Sequence, residues 1–283
     1  MKAVPQMSAL HAHKASPQFP PSQRKGNFSG MAPTEVTTTH SPRSRKFRAG
    51  RTTVIFDGDD TLWETQPLYE AAKELFFDKM GELGFALDPV KTHLDSIDRA
   101  NVNVWGFSKK RFPQSMYDTY CTLCIERGVR FDPKVASSVR AIGESVFKTT
   151  PRIFDGTLQV LMDLRSGGTT ILLATKGDPD VQEERIDSVG LRGWFDYIYV
   201  LLDKGVAEFQ QIVREYDVEP ESGWSVGNSL RSDIKPALAV GLNAIWIPNV
   251  SWSYEEDEAG TDLRLYRAHS IREVPGIIFG TRL

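Results

Sequence analysis

Asp57, Asp59 and Asp60 place three carboxylates within four positions, in the stretch Asp57-Gly58-Asp59-Asp60-Thr61, directly after the apolar run at 52–56. Acids so placed can act as nucleophile or as general acid and base. They can also do no more than cap a turn. Their position at the end of a run with the look of a buried strand favours the catalytic reading. Three more polar groups follow later runs: Thr175-Lys176-Gly177-Asp178, then Lys204, then Gly227-Asn228-Ser229 with Asp233 beyond it.

These groups need elements that bring them together. Short β-branched and aromatic runs stand at 52–56, 170–174, 197–201, 224–226 and 244–247, and helical patterns at 178–189, 204–216 and 233–240 separate the last four. Strand and helix alternating at that spacing predict an α/β fold with a parallel sheet and right-handed crossovers. Ligands of such sheets bind beyond the carboxyl ends of the strands, where all four polar groups fall. One interval breaks the alternation. Residues 64–150 keep helical spacing throughout, with Asp88-Pro89 and Asp132-Pro133 as helix starts. This predicts a helical domain inserted after the first strand.

The segment Phe56-Asp57-Gly58-Asp59-Asp60-Thr61-Leu62-Trp63 resembles the DxDx[TV] signature of the haloacid dehalogenase-like (HAD) hydrolases. The other three strand exits match that superfamily's remaining motifs in order, over residues 52 to about 250. The resemblance implies a Rossmann-like parallel sheet with an all-helical cap after motif one. The expected organisation is a disordered basic tail (1–50), a core (51–63 and 151–255), the cap (64–150) and a C-terminal extension (256–283), the last thirty residues forming surface.

The resemblance also implies roles. Asp57 is the nucleophile that forms an aspartyl-phosphate, and Asp59 protonates the leaving oxygen and then activates water. Bringing a phosphate dianion within ~4 Å of a carboxylate costs on the order of 4 kcal/mol per charge pair at an effective dielectric of 20, so cations are required. Lys204 is one, and Mg²⁺ is the expected cofactor, bridged by Asp57, the Asp59 carbonyl and a motif-four side chain, Asn228 or Asp233. Gly58, Thr175, Lys176 and Gly177 are expected to hold phosphate oxygens. The chain departs from the common pattern at Asn228, where Asp is frequent, and at Lys176, where Asn is frequent.

The expected activity is a Mg²⁺-dependent phosphatase acting on a small phosphorylated metabolite. A catalytically silent phospholigand-binding or regulatory protein is the alternative, kept open by Asn228. A 2-haloacid dehalogenase ranks below both, because that reaction releases halide unprotonated and needs no second acid at Asp59. For substrate selection the candidates are Lys109, Lys110 and Arg111, which follow Trp105, Gly106 and Phe107 at a break between cap helices. Cys121 and Cys124 form a CxxC that has no partner pair and reads as two small core residues on one helix face.

Composition narrows the setting. Residues 1–50 hold eight Lys or Arg and one acid and so carry +7, which leaves −10 on the remainder of a chain with net charge −3. That tail has six of the sixteen prolines and too little apolar surface to fold. Its basic run lacks regularly spaced aromatics, so a solvated leader is preferred to a nucleic-acid arm. Pro17, Pro20 and Pro21 spoil the amphipathic helix of a transit peptide, and Met31 opens an equally polar, shorter start. With two cysteines, no signal-peptide pattern and no ~20-residue apolar stretch, a cytoplasmic protein that does not span a membrane is expected. Nothing in the chain predicts its oligomeric state.

Overall fold

A computed structural model describes residues 51–249 and 261–280, so the basic tail and the acidic residues 255–258 lie outside the described residues. The chain forms strands β1 (Thr53–Phe56), β2 (Trp63–Glu64), β3 (Arg152–Ile153), β4 (Thr170–Lys176), β5 (Tyr197–Leu201), β6 (Gly223–Gly227), β7 (Asn243–Trp246) and β8 (Leu265–Arg267). Six of them make one parallel sheet in the order β5-β4-β1-β6-β7-β8. From β1 the chain builds outward through β4 and β5, then crosses back to β6 on the other side. Reversals of this kind open a crevice at the strand ends, here at the ends of β1, β4 and β6.

The sheet is buried on both faces, which is why its strands read as unbroken apolar runs. Val54 and Phe56 pack into one hydrophobic cluster and Ile55 into another, as period-two alternation requires. Helices α5 (Thr157–Ser166), α6 (Pro179–Ser188), α7 (Val206–Glu215), α8 (Lys235–Ala239) and α9 (Val274–Phe279) complete this part of the chain. The end of the chain departs from the expectation of surface. Residues 265–267 add the sixth strand, and Ala268, Ile271 and Val274 are buried in the core. Among the described residues no helix is long and apolar enough to cross a membrane.

Between β2 and β3 lie four helices, α1 (Gln66–Glu82), α2 (Leu87–Trp105), α3 (Arg111–Arg127) and α4 (Pro133–Ser145). They pack around a hydrophobic cluster of their own that includes Phe76, Met80, Phe112, Met116 and Val139. Both connections to this insertion run through the antiparallel β2–β3 pair, where Arg152 donates two 3.1 Å hydrogen bonds to Glu64. Cys124 is buried in the insertion and Cys121 half-buried on the same helix, both as free thiols.

Helices α3 and α4 touch at Gly143, where a Cβ would come within 2.7 Å of Pro113 Cα. Backbone cannot yield as a flexible side chain can. Gly143→Ala is therefore expected to cost about 1–3 kcal/mol through overpacking, read as a lowered midpoint in thermal unfolding. An unchanged midpoint would show that the two helices separate freely.

Candidate active site

The turn after β1 depends on two close approaches. A Cβ on Gly58 would fall 2.4 Å from the Trp63 ring, so only glycine lets the chain fold back over the indole. Asp60 follows with a left-handed φ of 59°, a conformation that Asp tolerates better than most residues. Its carboxylate accepts from the Thr65 and Gln66 amides at 2.8 Å and from the Thr65 hydroxyl at 2.7 Å. Asp60 is therefore a structural acid that anchors the start of α1, and burial raises its pKa.

Asp57 and Asp59 are left facing the crevice. Asp57 is buried, and Lys204 Nζ lies 3.0 Å from its Oδ1 and 2.6 Å from Asp233 Oδ1. Burial, with the charge of Asp233 adding to it and Lys204 opposing, pushes Asp57 up to about 7. Lys204 itself is held above its ordinary value: burial would lower it, but the charges of Asp233 and Asp57 outweigh that. Asp233 reaches this position from a π-helical turn, Leu230–Ile234, whose geometry turns its carboxylate back over Gly227. A Cβ on Gly227 would stand 2.2 Å from Asp233 Oδ2, so this glycine is what admits the acid. Asp233 Oδ2 also accepts from the Ser229 amide at 2.9 Å.

Asp59 is held differently. Its Oδ1 accepts from Trp63 Nε1 at 2.6 Å, and its Oδ2 from Gln182 Nε2 at 2.8 Å and Arg185 Nη1 at 2.7 Å. Gln182 and Arg185 sit one turn apart on α6, which puts both on one helix face.

A cavity of about 120 Å³ opens over these groups. Asp57, Asp59, Lys204, Lys176, Gly177, Asn228 and Asp233 line it, joined from the insertion by Tyr69, Phe107, Arg111, Phe112 and Phe147. Gly58 and Thr175 are buried and do not line it; the Thr175 hydroxyl donates to Gln182 Oε1 at 3.2 Å. Lys176 donates to Ser232 Oγ at 2.8 Å, and its ammonium lies 4.5 Å from the Phe107 ring centroid. The basic trio separates. Arg111 is buried in the cavity wall and paired with Asp98, whereas Lys109 and Lys110 border a separate groove on the insertion. Lys109 joins the insertion to the sheet domain instead, through Asp180 at 2.8 Å and, by its amide, Asp178 at 3.2 Å.

The oxygens at this site suit a hard cation. Asp57, the Asp59 carbonyl, Asn228 and Asp233 offer only oxygen donors, and the buried Asp233 Oδ1 touches Lys204 without accepting an aligned hydrogen bond. Among the described residues no three His, Cys, Asp or Glu side chains gather into a ready cage. Mg²⁺ is commonly held by one or two carboxylates together with phosphate and water.

Comparison with known proteins bears on the family and the fold. A family model described as haloacid dehalogenase-like hydrolase matches residues 52–241. The chain is 26% identical over 231 residues to a glyceraldehyde 3-phosphate phosphatase of Pyrococcus furiosus, covering 80% of this chain and 90% of that one. It is 26% identical over 236 residues to a phosphoserine phosphatase of Thermus thermophilus, covering 75% and 94%. A solved haloacid dehalogenase-like hydrolase of Xanthomonas campestris superposes with a TM-score of 0.69 at 26% identity, over 82% of this chain and 93% of that one. A 2-haloacid dehalogenase of Pseudomonas syringae superposes at 0.51 and 20% identity, over 82% and 100%, which speaks for the fold alone.

Proposed function

The chain belongs to the haloacid dehalogenase-like hydrolase family, and we propose that within it this protein is a Mg²⁺-dependent phosphatase of a small phosphomonoester. The observation that carries the reading is Lys204, buried between Asp57 and Asp233 in the same cavity as a second acid, Asp59. Phosphatase relatives that align over most of the chain support the same reaction class. The second acid also separates this reading from dehalogenation.

Asp57 attacks phosphorus through a carboxylate oxygen, the ester P–O bond breaks, and Asp59 gives its proton to the departing alcohol oxygen. Water then attacks the aspartyl-phosphate while Asp59 takes a proton from it, which releases inorganic phosphate and restores Asp57. Lys204 holds Asp57 in place and offsets charge on the phosphoryl group throughout. Lys176 and the backbone of Gly177 face the same space and would hold phosphate oxygens, with Gly58 and Thr175 supporting them from behind. Held by Asp57, the Asp59 carbonyl, Asp233 and Asn228, Mg²⁺ would supply the positive charge that lets a dianion approach a carboxylate. The cavity volume suits a small metabolite better than a nucleotide.

Turnover of p-nitrophenyl phosphate with Mg²⁺, and its loss with EDTA, tests this reading; no turnover under either condition would favour a phospholigand-binding protein. Asn228→Asp is expected to lower the Mg²⁺ concentration needed for half-maximal activity by adding an anionic ligand, and Asp233→Ala to raise it. If neither variant moves that concentration, the metal lies elsewhere.

The raised pKa of Asp57 has a thermodynamic consequence for the metal-free protein. Between the ordinary carboxylate range and about 7, the folded protein keeps a proton on Asp57 that the unfolded chain has lost. Stability must then fall as pH rises through that window, by at most ~1.4 kcal/mol per pH unit, and level off above it. The melting temperature in EDTA is expected to drop between about pH 5 and pH 7, and Mg²⁺ to restore more at pH 8 than at pH 6. A flat profile in EDTA would refute the raised titration.

A further inference from the structure

The groove on the insertion, about 510 Å³ in volume, has the opposite charge to the rest of the molecule. Trp105 ends α2 there, Lys109 and Lys110 follow in the next loop, and Arg140, Glu144 and Lys148 join them from α4 and the turn beyond it. Four cations thus meet one acid on a chain whose residues beyond 50 carry −10. Two of the four have acidic partners: Lys109 reaches Asp180 at 2.8 Å and Lys148 reaches Glu144 at 3.4 Å. Such exposed pairs hold their members weakly. Arg140 donates to the neutral amide oxygen of Gln114 at 2.8 Å and stands 4.5 Å from the Tyr117 ring centroid. Among the described residues neither Arg140 nor Lys110 has a carboxylate within ion-pair distance.

Beside these cations Trp105 leaves 40% of its surface exposed, and Phe147 adds a second ring to the groove. An indole left half in water offers an apolar face, and uncompensated cations offer charge. We propose that the groove is a second ligand site, taking a small anion that also carries a flat ring, of the nucleoside monophosphate class, with Lys110 and Arg140 on the phosphate and Trp105 against the base. The arginine fork suits phosphate oxygens, and stacking on an aromatic ring tolerates any base. The volume falls within the roughly 300–1,000 Å³ usual for small-molecule sites. The active cavity, at about 120 Å³, is too small for the same ligand, so the two sites sort their ligands by size.

The groove also communicates with the active cavity. Phe147 lines both. From Arg140 a hydrogen-bonded chain runs through Gln114, which donates to Asp118 at 2.7 Å, to Asn101, which donates to Asp118 at 3.3 Å and to Ser115 at 3.1 Å. Ser115 donates to Asp98 at 2.8 Å, and Asp98 pairs with Arg111 in the cavity wall. An anion that engages Arg140, or draws Lys109 away from Asp180, acts on that wall, and coupling between two sites is reciprocal.

Calorimetric titration of the full-length protein in EDTA, where binding is read without turnover, tests the site with AMP, adenosine and ribose 5-phosphate. AMP is expected to bind at least about tenfold tighter than either fragment, and less tightly as salt is raised. Lys110→Glu combined with Lys148→Glu should weaken AMP about tenfold or more, and Trp105→Ala should bring AMP down to the affinity of ribose 5-phosphate. Melting temperatures and turnover of p-nitrophenyl phosphate should stay near those of the parent in both variants. With Mg²⁺ present, AMP should change kcat for p-nitrophenyl phosphate in the parent and not in the double-lysine variant. AMP binding no tighter than ribose 5-phosphate, or unchanged by the lysine reversals, would overturn the inference. Purely competitive inhibition by AMP that survives those reversals would place the nucleotide in the active cavity and overturn it too. Tighter binding of a hexaglutamate peptide than of AMP would assign the groove to an acidic protein segment instead.

Discussion

Asp57→Asn protein is expected to fold, to melt in EDTA at least as high as the parent above pH 7, and to lose turnover by at least about 10⁴-fold. The activity loss follows from the proposed chemistry, since an amide oxygen cannot carry the phosphoryl group through a hydrolysable acyl-phosphate. The stability result follows from geometry. Asp57, Asp233 and Lys204 enclose two negative charges and one positive in a buried space, and burial first, then the charge of Asp233, raises the pKa of Asp57. Asparagine keeps the shape and removes the surplus. Acid-stable radiolabel retained on Asp57→Asn after quenching with labelled substrate, or activity within tenfold of the parent, would rule Asp57 out as the nucleophile. A collapse of the melting temperature would instead show that the carboxylate is needed for folding.

The sheet could be read from sequence because parallel strands buried on both faces leave continuous apolar runs, as in residues 197–201, and their exits carry the polar groups. Strand β8 escaped because Leu265–Arg267 is three residues long and half exposed, without the apolar signal that sheet centres leave. Helix α5 escaped as well, since Gly156 at its start gives no side-chain cap to recognise. Within the site, spacing named the three acids of the first turn but could not divide them. Asp60 anchors α1 only because a left-handed φ turns its carboxylate onto the Thr65 and Gln66 amides. Arg185 and Gln182 were invisible for another reason. Both sit on a helix whose sequence reads as a charged surface face, and only its packing against the first turn brings them to Asp59. The run of Lys109, Lys110 and Arg111 looked like one cluster, but it straddles the start of α3. Arg111 turns inward to Asp98 there, while Lys109 reaches outward to Asp180.

Lys204→Met is expected to be the most destabilising single change at the site. The lysine side chain is 1% exposed and is the nearest cation to two buried carboxylates, at 3.0 and 2.6 Å. Methionine keeps much of the volume but leaves Asp57 and Asp233 facing each other without compensation, and removing one partner from a buried ion pair costs about 3–5 kcal/mol. The loss should grow with pH, because Asp57 escapes repulsion by keeping a proton, and without Lys204, which lowers its pKa, it must keep that proton to a higher pH than in the parent. A double-mutant cycle separates this from simple loss of packing. In an Asp57→Asn background the same Lys204→Met change should cost markedly less, since only one buried carboxylate then loses its partner. Denaturant unfolding in EDTA at pH 6 and pH 8 measures all four proteins. An equal cost in both backgrounds and at both pH values would mean that Lys204 contributes shape alone, and the charge balance assigned to this site would have to be abandoned.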